Sequence, residues 1–576
     1  MDILWDYRVR LKRLAGTPGR WYLLAGAAVL GLSTVAWSLV VARLQQGNAD
    51  QLVDGFLFTN AATFQQAQFP AEHTLLLKWP LFWALGALQN TPWAYMVGTV
   101  ALCLATVGLY AYVLFRIERR PVVLGTLYLS LALVLMLVPA QVLGGVTSPL
   151  SMAMITGRNI EYMLYIAGLA LLLPSGRAYA WGRWSAAALL LGSLFASDQL
   201  FVVCSLGGAL LLVLSGYVRR SRVLTGLGWA WLGVSGVSVA LAWLVLAVLR
   251  RVTGIVAGSA DIQGHITTLA GMQNAGAYGL RAVLPNFGIH VNFGWIGVLP
   301  VLLNVGTLGA IVYAWYVLVR RGVRRSAPPG RAELLAALLG LSAFAVFAVY
   351  VVIGHAVAAD ARYLTITFFA GFVALAAYSR SVRINPRLLY GGGAVLCVGL
   401  VLGLVGLARH ATQVRANDML RARNQRVVRA LADHPVEVLV GNYWRVVPIK
   451  ALTKQTSQHI LPLGSCLQPR QSLVSGAWKQ DLYTHSFAYL LSVQPDGTPF
   501  GRCSLQTLVL VYGQPSSVVR IAGTARSPME LLLFYNNGGA KLRGKETAPP
   551  MPVFGAPTEG MARPTGSTIT PLTDPS

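Results

Sequence analysis

Acidic side chains are scarce in this chain, with 20 Asp and Glu against 46 Lys and Arg in 576 residues. Charged residues make up only 11% of the sequence, where soluble proteins carry about a quarter. That shortage excludes an ordinary soluble globular fold. Cysteine is also rare: five residues, none in CxxC spacing, which excludes a zinc ribbon or a dithiol redox centre. There is no P-loop, no dinucleotide-binding glycine fingerprint, no HExxH and no GxSxG. Nucleotide-driven, zinc-peptidase and serine-esterase chemistry therefore lack their usual residues. No internal repeat is evident either, which argues against a solenoid.

Hydrocarbon is what the chain has in abundance. It is 55% hydrophobic with a mean hydropathy of +0.59. Its long apolar runs match the roughly 17–25 residues needed to cross about 30 Å of lipid. A transmembrane barrel would need shorter, alternating segments instead. The sequence thus predicts a polytopic α-helical membrane protein with about eleven spans. They lie near residues 21–44, 93–115, 122–142, 160–173, 184–197, 199–218, 226–249, 293–319, 334–355, 364–378 and 389–407. The first is too long and too poorly terminated for a cleaved signal peptide.

Charge sets the expected orientation. Arg8, Arg10, Lys12, Arg13 and Arg20 hold the N-terminus in the cytoplasm. Arg116–Arg120, Arg177 with Arg183, Arg320–Arg325 and Arg380–Arg387 then fall on the same side. Only the Arg250–Arg251 pair offends the alternation. The runs on either side of Asp198 read as a re-entering pair whose apex reaches the outer side. The net charge of +26 is accounted for by basic inner loops, so membrane lipids, and no nucleic acid, are the expected surroundings.

Composition changes near Arg409. Residues 1–410 form the expected transmembrane domain, with an outer loop at 46–92. Residues 411–435 read as a helical stalk and 436–546 as a small extracytoplasmic α/β or β-rich domain. The tail, 547–576, is rich in Pro, Gly and Thr and is expected to be disordered. Strand-like runs occur at Val436–Val440, Leu505–Tyr512, Ser517–Ala522 and Met529–Tyr535. Cys466 and Cys503 share this domain, on the side of the membrane that permits a disulfide. Cys103, Cys204 and Cys397 fall in spans and read as packing residues.

The polar loop after the first span carries the chemistry. It holds Asp50, Asp54, Glu72 and His73 and closes on Lys78-Trp79-Pro80-Leu81. Ionisable groups so near a bilayer are costly and usually functional. Asp54, Glu161 and Asp198 are all assigned to the outer edge, with Arg158, Arg250, Arg251, Arg281 and Arg362. Carboxylates are the usual acid–base groups of glycosyl chemistry, and arginine suits bidentate phosphate binding. Each residue also has a purely structural reading. Arg158 and Glu161 are spaced for a local i,i+3 ion pair. Asp54 and Asp198 suit helix caps, and Arg362 suits an interfacial anchor. His290 and His355 read as helix-end or packing residues.

Several of these stretches are similar to the GT-C glycosyltransferases, multi-spanning enzymes that use polyprenyl-phosphate sugars and include aminoarabinose and protein-mannosyl transferases. Asp54-Gly55-Phe56-Leu57-Phe58 resembles the opening of that family's first outer loop, and Leu76-Leu77-Lys78-Trp79-Pro80-Leu81 its close. Asn159-Ile160-Glu161-Tyr162 resembles the position of the second acid. Asp360-Ala361-Arg362-Tyr363 resembles the Arg-Tyr before a late span. Gly441-Asn442-Tyr443-Trp444 is similar to the opening of some outer domains. Two departures stand out: Gly55 follows Asp54 where the family usually has a second acid, and Leu77 replaces an acid of the aminoarabinose branch.

The resemblance implies transfer of a sugar from a polyprenyl-phosphate donor to a glycan, lipid or protein acceptor of the cell envelope. Asp54 and Glu161 would be the catalytic carboxylates, with Asp50, Glu72, His73 and Asp198 as further candidates. Arg362, Arg158 and Arg281 would hold the donor phosphate. A divalent cation is compatible with such a site but not required. Two other readings stay open: a glycolipid transporter or flippase, and an inactive scaffold of the same fold that binds cell-wall polymer.

Overall fold

The computed structural model describes residues 19–44, 68–70, 76–88, 92–136, 157–174, 180–253, 256–258, 267–289, 294–324, 329–354, 362–409, 411–452, 459–463, 466, 485–493, 503–521 and 529–536. Asp50, Asp54, Glu72, His73, His290, His355 and the 547–576 tail lie outside them.

Each expected span is occupied by a helix. In chain order these are α1 (Arg20–Leu44), the short α2 (Trp79–Ala87), α3 (Pro92–Ile117), α4 (Pro121–Met136), α5 (Ile160–Leu172), α6 (Ala180–Ser197), α7 (Leu200–Val218) and α8 (Arg222–Thr253). They continue as α9 (Leu269–Asn286), α10 (Gly294–Arg324), α11 (Arg331–Ile353), α12 (Thr365–Arg380) and α13 (Pro386–Arg409). Among the described residues, eight helices are long and apolar enough to cross a membrane; α4 and α5 are shorter apolar helices. α4 and α12 are the most deeply buried, with Leu133, Val134 and Leu135 of α4 and Phe368, Phe369, Phe372 and Val373 of α12 at most 1% exposed. By contrast α8 and α10 carry exposed Trp243, Val252, Trp295 and Leu302, a face suited to lipid rather than water.

Small residues let the helices approach. A β-carbon on Gly26 of α1 would lie 2.9 Å from the Gly125 carbonyl of α4, too close for any other residue. This is the close approach that glycine gives membrane helices, which gain no hydrophobic drive from one another in lipid.

The two ends of the bundle differ in charge. At one end the turn between α3 and α4 is latched to the end of α12. Glu118, 1% exposed, accepts from Arg120 Nη2 at 2.7 Å and from Ser379 Oγ at 3.0 Å. Arg120 also donates to the Val382 carbonyl at 2.7 Å and to that of Ser379. Burial works to raise the Glu118 carboxyl, but the hydrogen bonds and charge of Arg120 outweigh it and hold it below its ordinary range. Arg116, Arg120, Arg321 and Arg380 therefore share one end, as the charge alternation requires. The opposite end carries two further buried acids, Glu161 and Asp198.

The long segment after α8 differs from a plain loop. A 32-residue helix is about 48 Å long, so Arg250 and Arg251 in its last turn stand beyond a hydrocarbon layer of about 30 Å. They remain the pair that departs from the charge alternation. Strand β1 (Gln68–Pro70) pairs in parallel with β2 (Val256–Gly258), tying the first loop to this segment. Then α9, rich in Gly and Ala, packs on α11 and leads to Phe287 among Phe368 and Phe372.

Beyond α13, helix α14 (Ala411–Asp433) leads to a five-stranded mixed sheet in the order β4-β3-β5-β7-β6. The strands are β3 (Val438–Asn442), β4 (His459–Leu463), β5 (Phe487–Val493), β6 (Ser517–Ile521) and β7 (Met529–Tyr535). Helix α15 (Tyr443–Leu452) follows β3, and α16 (Leu505–Tyr512) precedes β6. Both faces are covered: α16 packs Leu508 and Tyr512 on one, while α14 and α15 pack Val427, Leu431, Val446 and Ile449 on the other. The result is an α/β sandwich. Leu505–Tyr512 is helix, not the expected strand. Ser504 caps it by accepting from the Thr507 N–H at 3.0 Å, and Gly513, at φ +82°, ends it. Cys466 and Cys503 are disulfide-bonded beside α16. Glu530, fully buried, draws Arg423 of α14 at 2.7 Å and Arg445 of α15 at 2.8 Å, which joins the stalk to the sheet.

Candidate functional site

The start of α5 is the centre of the site. Asn159 caps the helix, its side chain accepting from the Ile160 N–H at 2.8 Å. The Asn159 N–H in turn donates to Glu161 Oε2 at 3.0 Å. Helix α5 has 13 residues, about 20 Å, which is short of the roughly 30 Å core. Its far end lies toward the basic side, where Arg183 donates to the Ala170 carbonyl at 3.1 Å. The charged end of α5 is therefore recessed into the bundle instead of standing at its rim. Charges in such a position must be paired.

They are paired across helices. Glu161 and Lys78 are 1% and 2% exposed, with Nζ 3.1 Å from Oε1. Lys78 also donates to the Gly157 carbonyl. The contact with Glu161 is one of charge rather than an aligned hydrogen bond, since Oε1 has no partner of hydrogen-bond geometry among the described residues. Arg158, 5% exposed, holds Asp198 in a fork: Nε to Oδ2 at 2.5 Å and Nη2 to Oδ1 at 3.2 Å. Asp198 also accepts from the Leu200 N–H at 2.9 Å, so it caps α7 while closing the junction with α6. The i,i+3 pair of Arg158 with Glu161 does not form, because the helix ends bring each a different partner.

Arg362 joins the cluster through an aromatic ring. The Arg158 and Arg362 guanidiniums lie 4.9 and 5.4 Å from the centroid of Tyr363, within cation–π range. The Nε of Arg362 is buried and has no hydrogen-bond partner among the described residues. Tyr162, next to Glu161, packs on Phe369 of α12 at 5.1 Å.

The structure thus brings together Glu161, Arg158, Asp198 and Arg362. It does not bring the whole expected set into contact. Arg281 is exposed on α9, and Arg250 and Arg251 are exposed at the end of α8. Asp50, Asp54, Glu72 and His73 fall outside the described residues. One residue enters that the outer-edge inventory left out: Lys78. Its signal was present, since it is the only Lys or Arg between Arg43 and Arg116. Among the described residues no cluster of three His, Cys, Asp or Glu is placed to hold a metal ion.

Chemically, the arrangement sets two carboxylates, Glu161 and Asp198, among three cations, Lys78, Arg158 and Arg362, at one end of a helical bundle. A solved structure shares this architecture. ArnT from Cupriavidus metallidurans, bound to undecaprenyl phosphate, matches with a TM-score of 0.52 over 89% of this chain and 98% of that one, at 12% identity.

The chain has the ArnT fold.

With 98% of that chain matched, the likeness is to the fold as a whole rather than to one part of it. No family model and no curated protein sequence matches this chain. At 12% identity the likeness carries the fold and nothing of the individual side chains.

Proposed function

We propose that this chain is a membrane glycosyltransferase of the GT-C type. It moves a sugar from a polyprenyl-phosphate donor to a hydroxyl of a cell-envelope glycan, lipid or protein on the extracytoplasmic side. The observation that carries the reading is the buried cluster of both signs at one end of an ArnT-fold bundle.

The reaction explains why both signs are needed. The sugar C1–O bond to the phosphate breaks and a C1–O bond to the acceptor forms. The acceptor loses its proton to a carboxylate, and the departing polyprenyl phosphate gains negative charge. Asp54 is the proposed general base, with Glu161 as the second carboxylate, acting on the acceptor. Arg362 and Lys78 hold the phosphate and stabilise the charge that develops on it. Arg158 is already bound twice by Asp198, so its part is to set Tyr363 and, through it, Arg362. The isoprenoid tail would lie against the apolar flanks of the spans.

The test is transfer itself. Protein in lipid nanodiscs, given radiolabelled polyprenyl-phosphate sugars and an envelope extract, should label an acceptor and release polyprenyl phosphate. Movement of intact donor between leaflets with no release would favour a flippase instead. Neither transfer nor binding would leave the scaffold reading.

A further inference from the structure

The two buried ion pairs of the site are built differently. Arg158–Asp198 is a fork with two aligned hydrogen bonds, an added bond from the Leu200 N–H and an aromatic ring against the guanidinium. It is a fixed strut. Lys78–Glu161 is a single contact at 3.1 Å, and Oε1 has no aligned donor. Glu161 has its own anchor on Oε2, the Asn159 N–H, and Lys78 has its own on the Gly157 carbonyl. Each would remain tethered if the other left. Lysine also suits exchange, because its ammonium is a compact charge with rotatable donors and no fixed fork.

We infer that Glu161 is the resting counter-ion of Lys78 and that the donor phosphate displaces it, so that donor binding is what frees this carboxylate for the acceptor. This rests on the glycosyl-transfer reading above. A phosphate offers several oxygens, enough for the Lys78 ammonium and for Arg362, whose Nε has no hydrogen-bond partner among the described residues. The Glu161 carboxylate has only two oxygens, and one of them already accepts from the Asn159 N–H. Two anions cannot share one ammonium in a recess of low dielectric without strong repulsion, so phosphate entry expels the carboxylate. The site would then bind donor before acceptor, and without donor Glu161 would stay masked.

The exchange makes an unusual demand: removing a carboxylate from the site should tighten phosphate binding. Binding of a short-chain polyprenyl phosphate to nanodisc-held protein is the readout. Glu161→Gln is expected to bind it roughly fivefold or more tightly than wild type, the scale of a typical coupling between ligands, and Lys78→Met more weakly. Unchanged or weaker binding by a folded Glu161→Gln variant would overturn the inference. Glu161→Gln leaves a buried ammonium, so it can fail to fold. A second measurement on wild-type protein covers that case. A membrane-permeant carbodiimide activates the Glu161 carboxylate, and the neighbouring Lys78 amine displaces the urea to leave an amide cross-link that mass spectrometry detects. Polyprenyl phosphate should suppress that cross-link. An undiminished cross-link at saturating lipid would sink the exchange while leaving the transferase reading standing. Failure of wild-type protein to bind the lipid phosphate at all would remove both.

Discussion

Arg158 and Asp198, 40 residues apart in the chain, close on each other through Nε–Oδ2 at 2.5 Å and Nη2–Oδ1 at 3.2 Å. The pair pins the junction of α6 and α7 to the start of α5, with Arg158 5% and Asp198 1% exposed. Removing one member of such a buried pair costs about 3–5 kcal/mol, because the other is left charged and unpaired. Asp198→Asn is therefore expected to lower the thermal stability of the protein in nanodiscs sharply. The double variant Arg158→Met/Asp198→Met should recover much of that loss. Equal melting of Asp198→Asn and wild type would show the pair to be dispensable.

Asp54 tests the assignment of the base. Asparagine keeps the size and most of the hydrogen bonding but cannot take a proton. If Asp54 is the base, Asp54→Asn should reduce turnover roughly 10²–10⁴-fold, the usual scale for general-base catalysis, with donor binding little changed. If Asp54 only caps a helix, asparagine caps about as well, and sugar transfer should stay within a few-fold of wild type.

Arg362 is a cation at this end whose Nε has no hydrogen-bond partner among the described residues. Charge-assisted hydrogen bonds contribute about 1.5–3 kcal/mol, so Arg362→Ala should weaken polyprenyl-phosphate binding by roughly 10- to 100-fold. Arg362→Lys should restore the charge but not the fork, and so recover part of the affinity. Titration of lipid phosphate by native mass spectrometry separates these outcomes. Full affinity in Arg362→Ala would move the phosphate to Lys78 alone.

Orientation follows from the shared end of Arg116, Arg120, Arg321 and Arg380. Reporter fusions after Arg120 and Arg387 are expected to read cytoplasmic, and a fusion at Gly441 extracytoplasmic. A cytoplasmic reading at Gly441 would place the sheet on the basic side and separate it from the site.

Lys450 gives a pH test in the C-terminal sheet domain. It is 8% exposed, and burial pushes its ammonium down to about 8. Its ordinary value is near 10.4, so between those two pH values the unfolded chain binds a proton that the folded chain does not. Stability should therefore rise with pH across that window. Below it, the folded domain carries the full cost of a buried charge. Lys450→Met is expected to stabilise the domain at pH 7 by about 1–3 kcal/mol and to lose that advantage near pH 10. Hydrogen exchange of the β5 amides is a suitable probe. A Lys450→Met variant less protected at pH 7 would contradict the burial argument.

Much of the bundle was legible because lipid imposes a severe rule. A backbone that crosses hydrocarbon must satisfy its own hydrogen bonds, so an apolar run of sufficient length can only be a helix. Basic residues then mark one side, and Glu118, Arg120 and Ser379 meet where that rule puts them. The C-terminal sheet domain obeys no such rule. Leu505–Tyr512 reads equally as a buried strand or a short helix, since a brief apolar run has no period to decide between them. Ser504 and Gly513 at its ends settled it. The central strand β5, Phe487–Val493, went unrecognised for the same reason: burial on both faces erases alternation.

The candidate site divides along similar lines. The sequence by itself determined which residues carry charge at the ends of the expected spans, because a bilayer leaves so few places for them. Glu161, Asp198, Arg158 and Arg362 were visible on that ground alone. Their partners were decided only by tertiary structure. Spacing along the chain suggests Arg158 with Glu161, three residues on, yet packing sets Asp198 against Arg158 and Lys78 against Glu161. The physical reason is that an ion pair buried in a membrane bundle is chosen by which helix ends come to the same depth. That depth depends on helix length and neighbour packing, which no local stretch of sequence contains.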